Sequence, residues 1–372
     1  MEFSIGNKKV GDNHPTFIIA ELSGNHHQKF EEAKALVRAA KEAGADAVKL
    51  QTYTPDTLTL NSDKKWFVFK GENQPKSWQN KSLYDLYEEA HTPWEWQPKL
   101  KKLADELGIM LFSSPFDDSA VDFLEQMNIP CYKIASYEAI HIPLLKKIAS
   151  TGKPVIMSVG FASPEEIELA VKTLKDNRVK DLAVLHCVTA YSDKPELANM
   201  NLRTMYDIKQ KYEVVVGFSD NNAGIEAPVI AATFYGASII EKHLTLNRED
   251  GGPDSRFSLE PDEFKEMVSH IRDGERKGLD ALEKFVSKEE VSTAMGEVHY
   301  GPCNDEEREN LIFRPSIWAK ADIKKGETLT TENIRVARPQ GGMAPKYFEE
   351  VLGKKAACDI TVATPLTENL IE

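Results

Sequence analysis

Short apolar runs alternate with amphipathic stretches along the first three quarters of the chain. Eight of these runs are six or seven residues long, and largely apolar runs of that length are typical of strands buried in a parallel sheet. We predict strands over residues 16–21, 46–51, 109–114, 131–136, 154–160, 182–188, 214–219 and 238–243.

The stretches between these runs have the spacing of helices. Apolar residues recur every three or four positions in FEEAKALVRAAKEAGA, SPEEIELAVKTLKD and PDEFKEMVSHIRDG. Eight strand–helix units are the number that closes a (β/α)₈ TIM barrel. An open doubly wound sheet would carry a glycine-rich phosphate loop after its first strand, and the chain contains neither GxGxxG nor GxxxxGK[ST]. The predicted fold class is therefore α/β, with residues 1–280 as a TIM barrel.

The pattern changes after the last predicted helix. Residues 281–310 are polar and irregular, and we predict a linker there. Residues 311–372 contain short β-like runs broken by KKGE and GG turns, which indicates a second, small and mostly β domain. A domain of this size buries only a modest core, so we expect it to dock on something larger.

A long insertion separates the second and third predicted strands. It covers residues 54–96, whereas loops between a strand and a helix of a barrel have 2 to 6 residues as a rule. Such a loop leaves the C-terminal end of the barrel, so we expect it to lie over the mouth. Trp94 and Trp96 within it are expected to pack or to form part of a lid.

Polar side chains collect at the C-terminal ends of the predicted strands, where TIM barrels build their active sites. The set comprises Glu21, Lys49, Gln51, Ser114, Lys133, Ser136, Glu138, Ser158, Ser219, Glu241 and His243. Burying a charge costs several kcal/mol unless it is paired or hydrogen-bonded, so we expect these side chains to share one cavity. His186 and Cys187 are interpreted as structural residues of a buried strand.

The residue types in this set suggest chemistry on an anion. Lys49 and Lys133, surrounded by serine hydroxyls, form a plausible seat for a phosphate or a carboxylate. Carboxylates such as Glu21, Glu138 and Asp254 can perform acid–base work or orient a histidine. A lysine at a strand end taken singly is more often part of a structural ion pair, and it is the convergence that favours a site.

Charge and cysteine usage narrow the class of protein. The formal net charge of -13 argues against nucleic acid or an acidic membrane as a partner. The four cysteines are scattered without a CxxC pair, which indicates a reducing compartment. The N-terminal residues lack the pattern of a leader, and no apolar run of 18 residues occurs, so we expect a cytoplasmic protein.

Several motifs resemble the sialic acid synthase family. They are AELSGNHH, GADAVKLQTYTPDTLTLNSD, FSSPFD, YKIASYE, IIEKHLTLNR and DSRFSLEPDEF, and residues 316–360 resemble the antifreeze-like (SAF) domain of that family. The resemblance implies condensation of phosphoenolpyruvate with an aldose to a nine-carbon ulosonic acid. Within the family, ELSGNH, KLQTYTPDTLTLNSD and TPWEW are nearest to pseudaminic acid synthases, which implies 2,4-diacetamido-2,4,6-trideoxy-L-altrose as the sugar.

The resemblance also implies roles for individual residues. Phosphoenolpyruvate is held at positions that match Lys49, Ser114, Lys133, Ser136, Ser158 and Ser219. Glu21 matches a carboxylate near the reacting centre, with Gln51 beside it. Glu138 and Asp254 match contacts to the sugar, and Thr189 and Tyr191 line the pocket. Together with His243, the residues Glu21, Lys49, Gln51 and Lys133 are the candidate catalytic group.

A divalent metal and a dimer follow from the same resemblance. The metal is manganese in most of the family, with magnesium or cobalt as the other candidates, and its ligand positions match His243 and Asn221. The second position is usually histidine, and an amide oxygen binds such cations more weakly than imidazole does. Arg338 matches an arginine that the second domain inserts into the barrel of a partner subunit, which implies a domain-swapped homodimer.

Two alternatives fit the same residues. The first is a sibling enzyme that makes N-acetylneuraminic or legionaminic acid, since pocket contacts decide the sugar. The second belongs to another class: a catalytically impaired carbohydrate-binding relative in which Asn221 has cost the metal site. Retention of the buried charges Lys49, Lys133 and Glu21 favours an active enzyme, because such charges are costly to keep.

Overall fold

A computed structural model describes residues 1–68 and 81–372 and shows a closed barrel of eight parallel strands. Strands β3 to β10 pair in sequence order, and β10 pairs back with β3. The predicted TIM barrel is therefore confirmed. The strands of the chain are β1 Glu2–Ile5, β2 Lys8–Gly11, β3 Phe17–Glu21, β4 Ala47–Thr52, β5 Met110–Pro115, β6 Tyr132–Ile134, β7 Val155–Ser158, β8 Leu182–Val188, β9 Val215–Asp220, β10 Ile239–His243, β11 Ser316–Ala319 and β12 Ile334–Ala337.

A helix follows each barrel strand and packs its apolar face on the outside of the sheet. The α-helices are α1 Phe30–Glu42, α2 Pro55–Leu58, α3 Leu83–Ala90, α4 Gln97–Leu107, α5 Asp118–Gln126, α6 Ile142–Ala149, α7 Pro164–Asp176, α8 Arg203–Tyr212, α9 Glu226–Thr233, α10 Pro261–Lys277, α11 Lys288–Met295, α12 Asp305–Glu309 and α13 Phe348–Val351. Local sequence sets several of their ends. For example, α7 begins with a capping box of Ser163 and Glu166.

The strand register brings the polar strand ends together. Glu21 is paired with Lys49 on one side and with His243 on the other. Gln51 is paired with Ser114 of β5. Because partners in a parallel pair project to the same face, these side chains lie around one end of the barrel.

Two regions differ from the sequence-based expectation. The hairpin of β1 and β2 was not predicted, because its two strands of four residues are too short for a periodic signal; it adds the buried Ile5 and Val10 to the barrel core. Residues 281–310 are not irregular throughout, since they contain α11 and α12. Leu282 and Ala294 of this segment are buried in the same core. These two helices were not predicted because their apolar residues are few among many charged ones.

The second domain forms its own small core around β11 and β12, which pair antiparallel. It also contacts the part of the insertion that precedes α3, where the ring centroids of Phe67 and Trp318 lie 4.8 Å apart. Residues 69–80 of that insertion lie outside the described residues. Trp94 packs on Phe123 with ring centroids 4.7 Å apart, as expected of a packing residue. Within the described ranges, the chain has no helix with both the length and the apolar character needed to cross a bilayer.

Candidate active site

One cavity lies at the C-terminal end of the barrel, beneath the insertion and the second domain. Twelve of the residues predicted for the site line it, namely Lys49, Gln51, Lys133, Ser136, Ser158, Thr189, Tyr191, Ser219, Asn221, His243, Asp254 and Arg338. The other predicted residues adjoin it: Glu21 contacts Lys49 and Gln51, Glu138 contacts Arg338, and Ser114 is next to Gln51 in the strand register. The structure therefore brings the predicted set together.

The charges at the floor of the cavity are compensated by one another. Glu241 Oε1 accepts hydrogen bonds from Lys49 Nζ at 3.0 Å and from Lys133 Nζ at 3.1 Å. Lys49 Nζ also lies 2.6 Å from Glu21 Oε2. Burial opposes the ionised form of Glu241, but Lys133 and Lys49 outweigh it and lower the pKa of Glu241. These ion pairs explain how the buried strand β10 can carry the charge of Glu241 near its end.

This floor is suited to receive an anion. Each ammonium group has three N–H donors, more than the contacts to Glu21 and Glu241 use. The buried hydroxyls of Ser114 and Ser158 have no hydrogen-bond partner among the described residues. Burial lowers the pKa of Lys49 to about 7, although Glu241 opposes this shift. An incoming phosphate or carboxylate would add negative charge beside Lys49 and so favour its protonated form.

His243 and Asn221 both line the cavity. His243 Nδ1 is buried and has no hydrogen-bond partner in the described part of the chain. Burial, reinforced by Lys49, lowers the pKa of His243 to about 3, so the ring is neutral at pH 7 and able to act as a ligand. Asn221 Nδ2 donates to Thr189 Oγ1 at 3.2 Å.

These two residues fit a weakly held hard cation. No group of three or more His, Cys, Asp or Glu side chains suited to a metal occurs among residues 1–68 and 81–372. A cation here would take one imidazole nitrogen and one amide oxygen from the protein, and its other ligands would come from substrate and water.

The upper part of the cavity is built around a buried ion pair. Arg338 Nη2 donates to Glu138 Oε1 at 2.6 Å and to Oε2 at 2.8 Å, and Nε donates to Oε1 at 3.0 Å. Burial disfavours charge on the guanidinium, but Glu138 outweighs it and raises the pKa of Arg338. The guanidinium carbon lies 4.8 Å from the ring centre of Tyr137 and 5.3 Å from that of Phe116.

Arg338 reaches the cavity through the docked second domain. Its backbone N–H donates to the carbonyl of Leu58 at 2.9 Å, and Thr59 Oγ1 donates to the carbonyl of Arg338 at 2.7 Å. In the single chain described, the arginine therefore enters the barrel of its own chain, whereas the resemblance had implied the barrel of a partner.

Asp254 and Tyr191 also line the cavity. Asp254 accepts a hydrogen bond from Ser23 Oγ, and burial raises the pKa of the Asp254 carboxyl. Tyr191 has a φ of +54°, in the left-handed region that residues other than glycine adopt at a cost. Its hydroxyl lies 3.3 Å from that of Tyr137.

Sequence reasoning missed the aromatic and apolar wall of the cavity. It comprises Tyr53, Leu58, Leu86, Tyr87, Phe116, Tyr137 and Phe313. Most of these residues follow strand ends or belong to the insertion, so proximity to a strand end was the available signal. His186 Nε2 is bonded to the carbonyl of Met200 at 2.8 Å, as expected of a structural residue. Cys187 is buried, and burial raises the pKa of its thiol, but it also lines the cavity.

Comparison with known proteins identifies the family. Pseudaminic acid synthase of Campylobacter jejuni is 42% identical over 355 residues, which are 95% of this chain and 96% of that protein. Pseudaminic acid synthase of Helicobacter pylori is 40% identical over 96% of this chain and 98% of its own. The crystal structure of spore coat polysaccharide biosynthesis protein spsE from Bacillus subtilis has a TM-score of 0.83 at 33% identity, with 100% of this chain and 99% of that chain covered. Since residues 36–280 match the NeuB family and residues 314–372 match the SAF domain, the chain belongs to the NeuB family.

Proposed function

We propose that the chain is a pseudaminic acid synthase. It condenses phosphoenolpyruvate with 2,4-diacetamido-2,4,6-trideoxy-L-altrose to a nonulosonic acid and phosphate. The observation that carries the proposal is the convergence of Lys49 and Lys133 on Glu241 in one cavity, which supplies cationic donors for a small anion. The relatives at 40% and 42% identity support the choice of sugar.

The floor of the cavity holds phosphoenolpyruvate in this proposal. Lys49 and Lys133 donate hydrogen bonds to its phosphate and carboxylate. Four serine hydroxyls supply further donors, from Ser114, Ser136, Ser158 and Ser219. C3 of the enol attacks the aldehyde carbon of the sugar, water adds at C2, and phosphate leaves with the bridging oxygen. One proton of the adding water passes to the aldehyde oxygen, and the other leaves the C2 hydroxyl as the keto group forms and is taken up by the departing phosphate.

Glu21, which lies beside Lys49, is the proposed acid–base group. Glu21 Oε1 accepts a hydrogen bond from Gln51 Nε2 at 3.2 Å, which fixes the carboxylate at the edge of the floor. A carboxylate in that position can take the proton from the adding water. Glu138, Asp254, Thr189 and Tyr191 face the sugar, and Arg338 orients Glu138.

A divalent cation, manganese first and magnesium or cobalt otherwise, completes the proposed site. His243 and Asn221 would hold it, and the chemistry that it supplies when bound is polarisation of the aldehyde oxygen. The assignment is supported by the neutral ring of His243, whose Nδ1 has no hydrogen-bond partner among the residues that the structure describes.

The chain is further proposed to act in the cytoplasm as a homodimer with exchanged second domains. The contacts that seat Arg338 against Leu58, Thr59 and Glu138 are all noncovalent. They can therefore form within one chain or between two, and the family resemblance favours exchange.

Incubation with phosphoenolpyruvate, manganese and a panel of sugars tests the proposed function. We expect release of phosphate and a product of the mass of pseudaminic acid with the diacetamido altrose. Turnover with N-acetylmannosamine or the legionaminic acid precursor instead would identify the sibling enzyme. Tight binding of sugar without phosphate release under any metal would favour the carbohydrate-binding alternative.

A further inference from the structure

A buried carboxylate outside the barrel strands holds the loop that follows β8. Glu307 of α12 is 4% exposed. Its Oε1 accepts a hydrogen bond from the backbone N–H of Thr189 at 2.7 Å, and its Oε2 accepts one from the N–H of Cys303 at 2.8 Å. A carboxylate that receives two backbone N–H groups in a buried place is a strong anchor.

Asn310, three residues after Glu307, holds the backbone carbonyl group of Thr189. Asn310 Nδ2 donates to the carbonyl oxygen of Thr189 at 3.0 Å. Strand β8 ends at Val188, so the sheet no longer pairs the backbone beyond it. Glu307 and Asn310 thus take over the backbone pairing of Thr189 where the barrel stops.

Thr189 is connected to two residues that line the cavity, Asn221 and Tyr191. Thr189 Oγ1 accepts a hydrogen bond from Asn221 Nδ2 at 3.2 Å, so the hydroxyl orients that amide. Two residues further along, Tyr191 is held at a φ of +54° with its hydroxyl 3.3 Å from that of Tyr137. A tyrosine stays in that conformation only when its surroundings fix the backbone.

We infer that Glu307 and Asn310 are positioning residues for the sugar half of the site. They act through the backbone of Thr189 on Asn221 and Tyr191. The segment that joins the barrel to the second domain therefore shapes the acceptor pocket, while the two lysines of the anion floor lie on the barrel strands β4 and β6. The inference rests on the proposed function, because it assigns that side of the cavity to the sugar.

Substitution of Glu307 should affect binding of the sugar but not binding of phosphoenolpyruvate. In Glu307→Ala we expect the KM for the sugar to rise roughly tenfold or more, as for loss of hydrogen bonds to a charged group. The dissociation constant of phosphoenolpyruvate, measured by calorimetry, should change less than about twofold. Glu307→Gln keeps one acceptor oxygen for two N–H groups, so its effect should be intermediate. Asn310→Ala should repeat the selective loss for the sugar.

The matched control is Arg308→Ala. Arg308 lies on the same helix, is exposed, and pairs with Asp305 at the surface. This variant should keep both constants of the wild type. If Glu307→Ala does not fold, Glu307→Gln and Asn310→Ala carry the test. Equal loss for both substrates, or a lower melting temperature with unchanged constants, would overturn the inference.

Amide hydrogen exchange gives a readout that does not depend on turnover. The N–H of Thr189 should exchange at least about tenfold faster in Glu307→Ala than in the wild type, and amides of β6 should not change. Unaltered exchange at Thr189 would refute the anchor. Absence of turnover in the wild type with normal anchoring would instead count against the proposed function.

Discussion

At the residue scale, Lys49 lies where a change of protonation is coupled to ligand binding. Burial lowers its pKa from 10.5 to about 7, with Glu241 opposing the shift. Below pH 7 the ammonium form prevails, and above pH 7 the neutral form does. A bound dianion favours the ammonium form and raises the pKa again.

Binding of phosphoenolpyruvate at pH 8 should therefore take up protons, approaching one per site. Its affinity should fall as the pH rises from 7 to 9, a range in which the phosphate stays a dianion because its second pKa is about 6. Calorimetry in buffers of different ionisation enthalpy measures the uptake. Lys49→Met should abolish it. Proton release, or tight binding without uptake, would contradict the role of Lys49.

Asn221 gives the second prediction at this scale. In Asn221→His an imidazole replaces an amide beside His243, and imidazole is the stronger ligand for a transition metal. We expect manganese to bind about tenfold more tightly or better, measured by electron paramagnetic resonance of the free ion. An unchanged affinity would show that the cation is held elsewhere.

At the element scale, helix α6 depends on a buried histidine. His141 Nδ1 accepts a hydrogen bond from the backbone N–H of Leu144 at 3.3 Å and so caps the helix. Burial lowers the pKa of His141 from 6.5 to about 4. Because the unfolded chain binds the proton more readily, the stability contributed by the neutral ring is complete above pH 6.5 and declines towards pH 4.

His141→Asn removes the titrating ring and keeps an acceptor at the cap. The variant should lose less stability than the wild type between pH 6.5 and pH 4, by up to about 3 kcal/mol. Denaturant unfolding at several pH values measures the difference. Parallel curves for the two proteins would contradict the assigned cause.

Some of these elements could be predicted from the sequence and others could not. The eight barrel strands were predictable because each contains a buried, largely apolar run. The hairpin of β1 and β2 was not, since its strands of four residues have no measurable period. Helix α12 was not predicted because Glu307 stands among the charged residues Asp305, Glu306 and Arg308 and cannot be told from them in the sequence. Only the tertiary contacts of Glu307 show that it is buried.

Part of the candidate active site could also be predicted from the sequence. Strand-end lysines and serines follow from position in a barrel, whereas the aromatic wall depends on how loops fold back over the mouth. Phe116 and Phe313 are remote in the chain, and only the folded structure brings both to the cavity. The pairing of Arg338 with Glu138 followed from no local pattern either, because it joins two domains.

At the scale of the whole molecule, subunit complementation tests the proposed exchange of domains. Lys49→Met impairs the barrel, and Arg338→Ala impairs the second domain. In an exchanged dimer, a mixed pair has one site with both residues intact, so an equal mixture of subunits should recover about a quarter of wild-type activity. Co-expression followed by phosphate assays measures it. No activity above that of the separate variants would mean that Arg338 serves its own chain.

The fate of the bridging oxygen of phosphoenolpyruvate tests the central claim most directly, that this cavity condenses the enol with a sugar and expels phosphate by C–O cleavage. With phosphoenolpyruvate carrying oxygen-18 at that position, phosphorus NMR of the released phosphate should show the label, and release should require the diacetamido altrose. Unlabelled phosphate, or release that is independent of the sugar, would contradict the account.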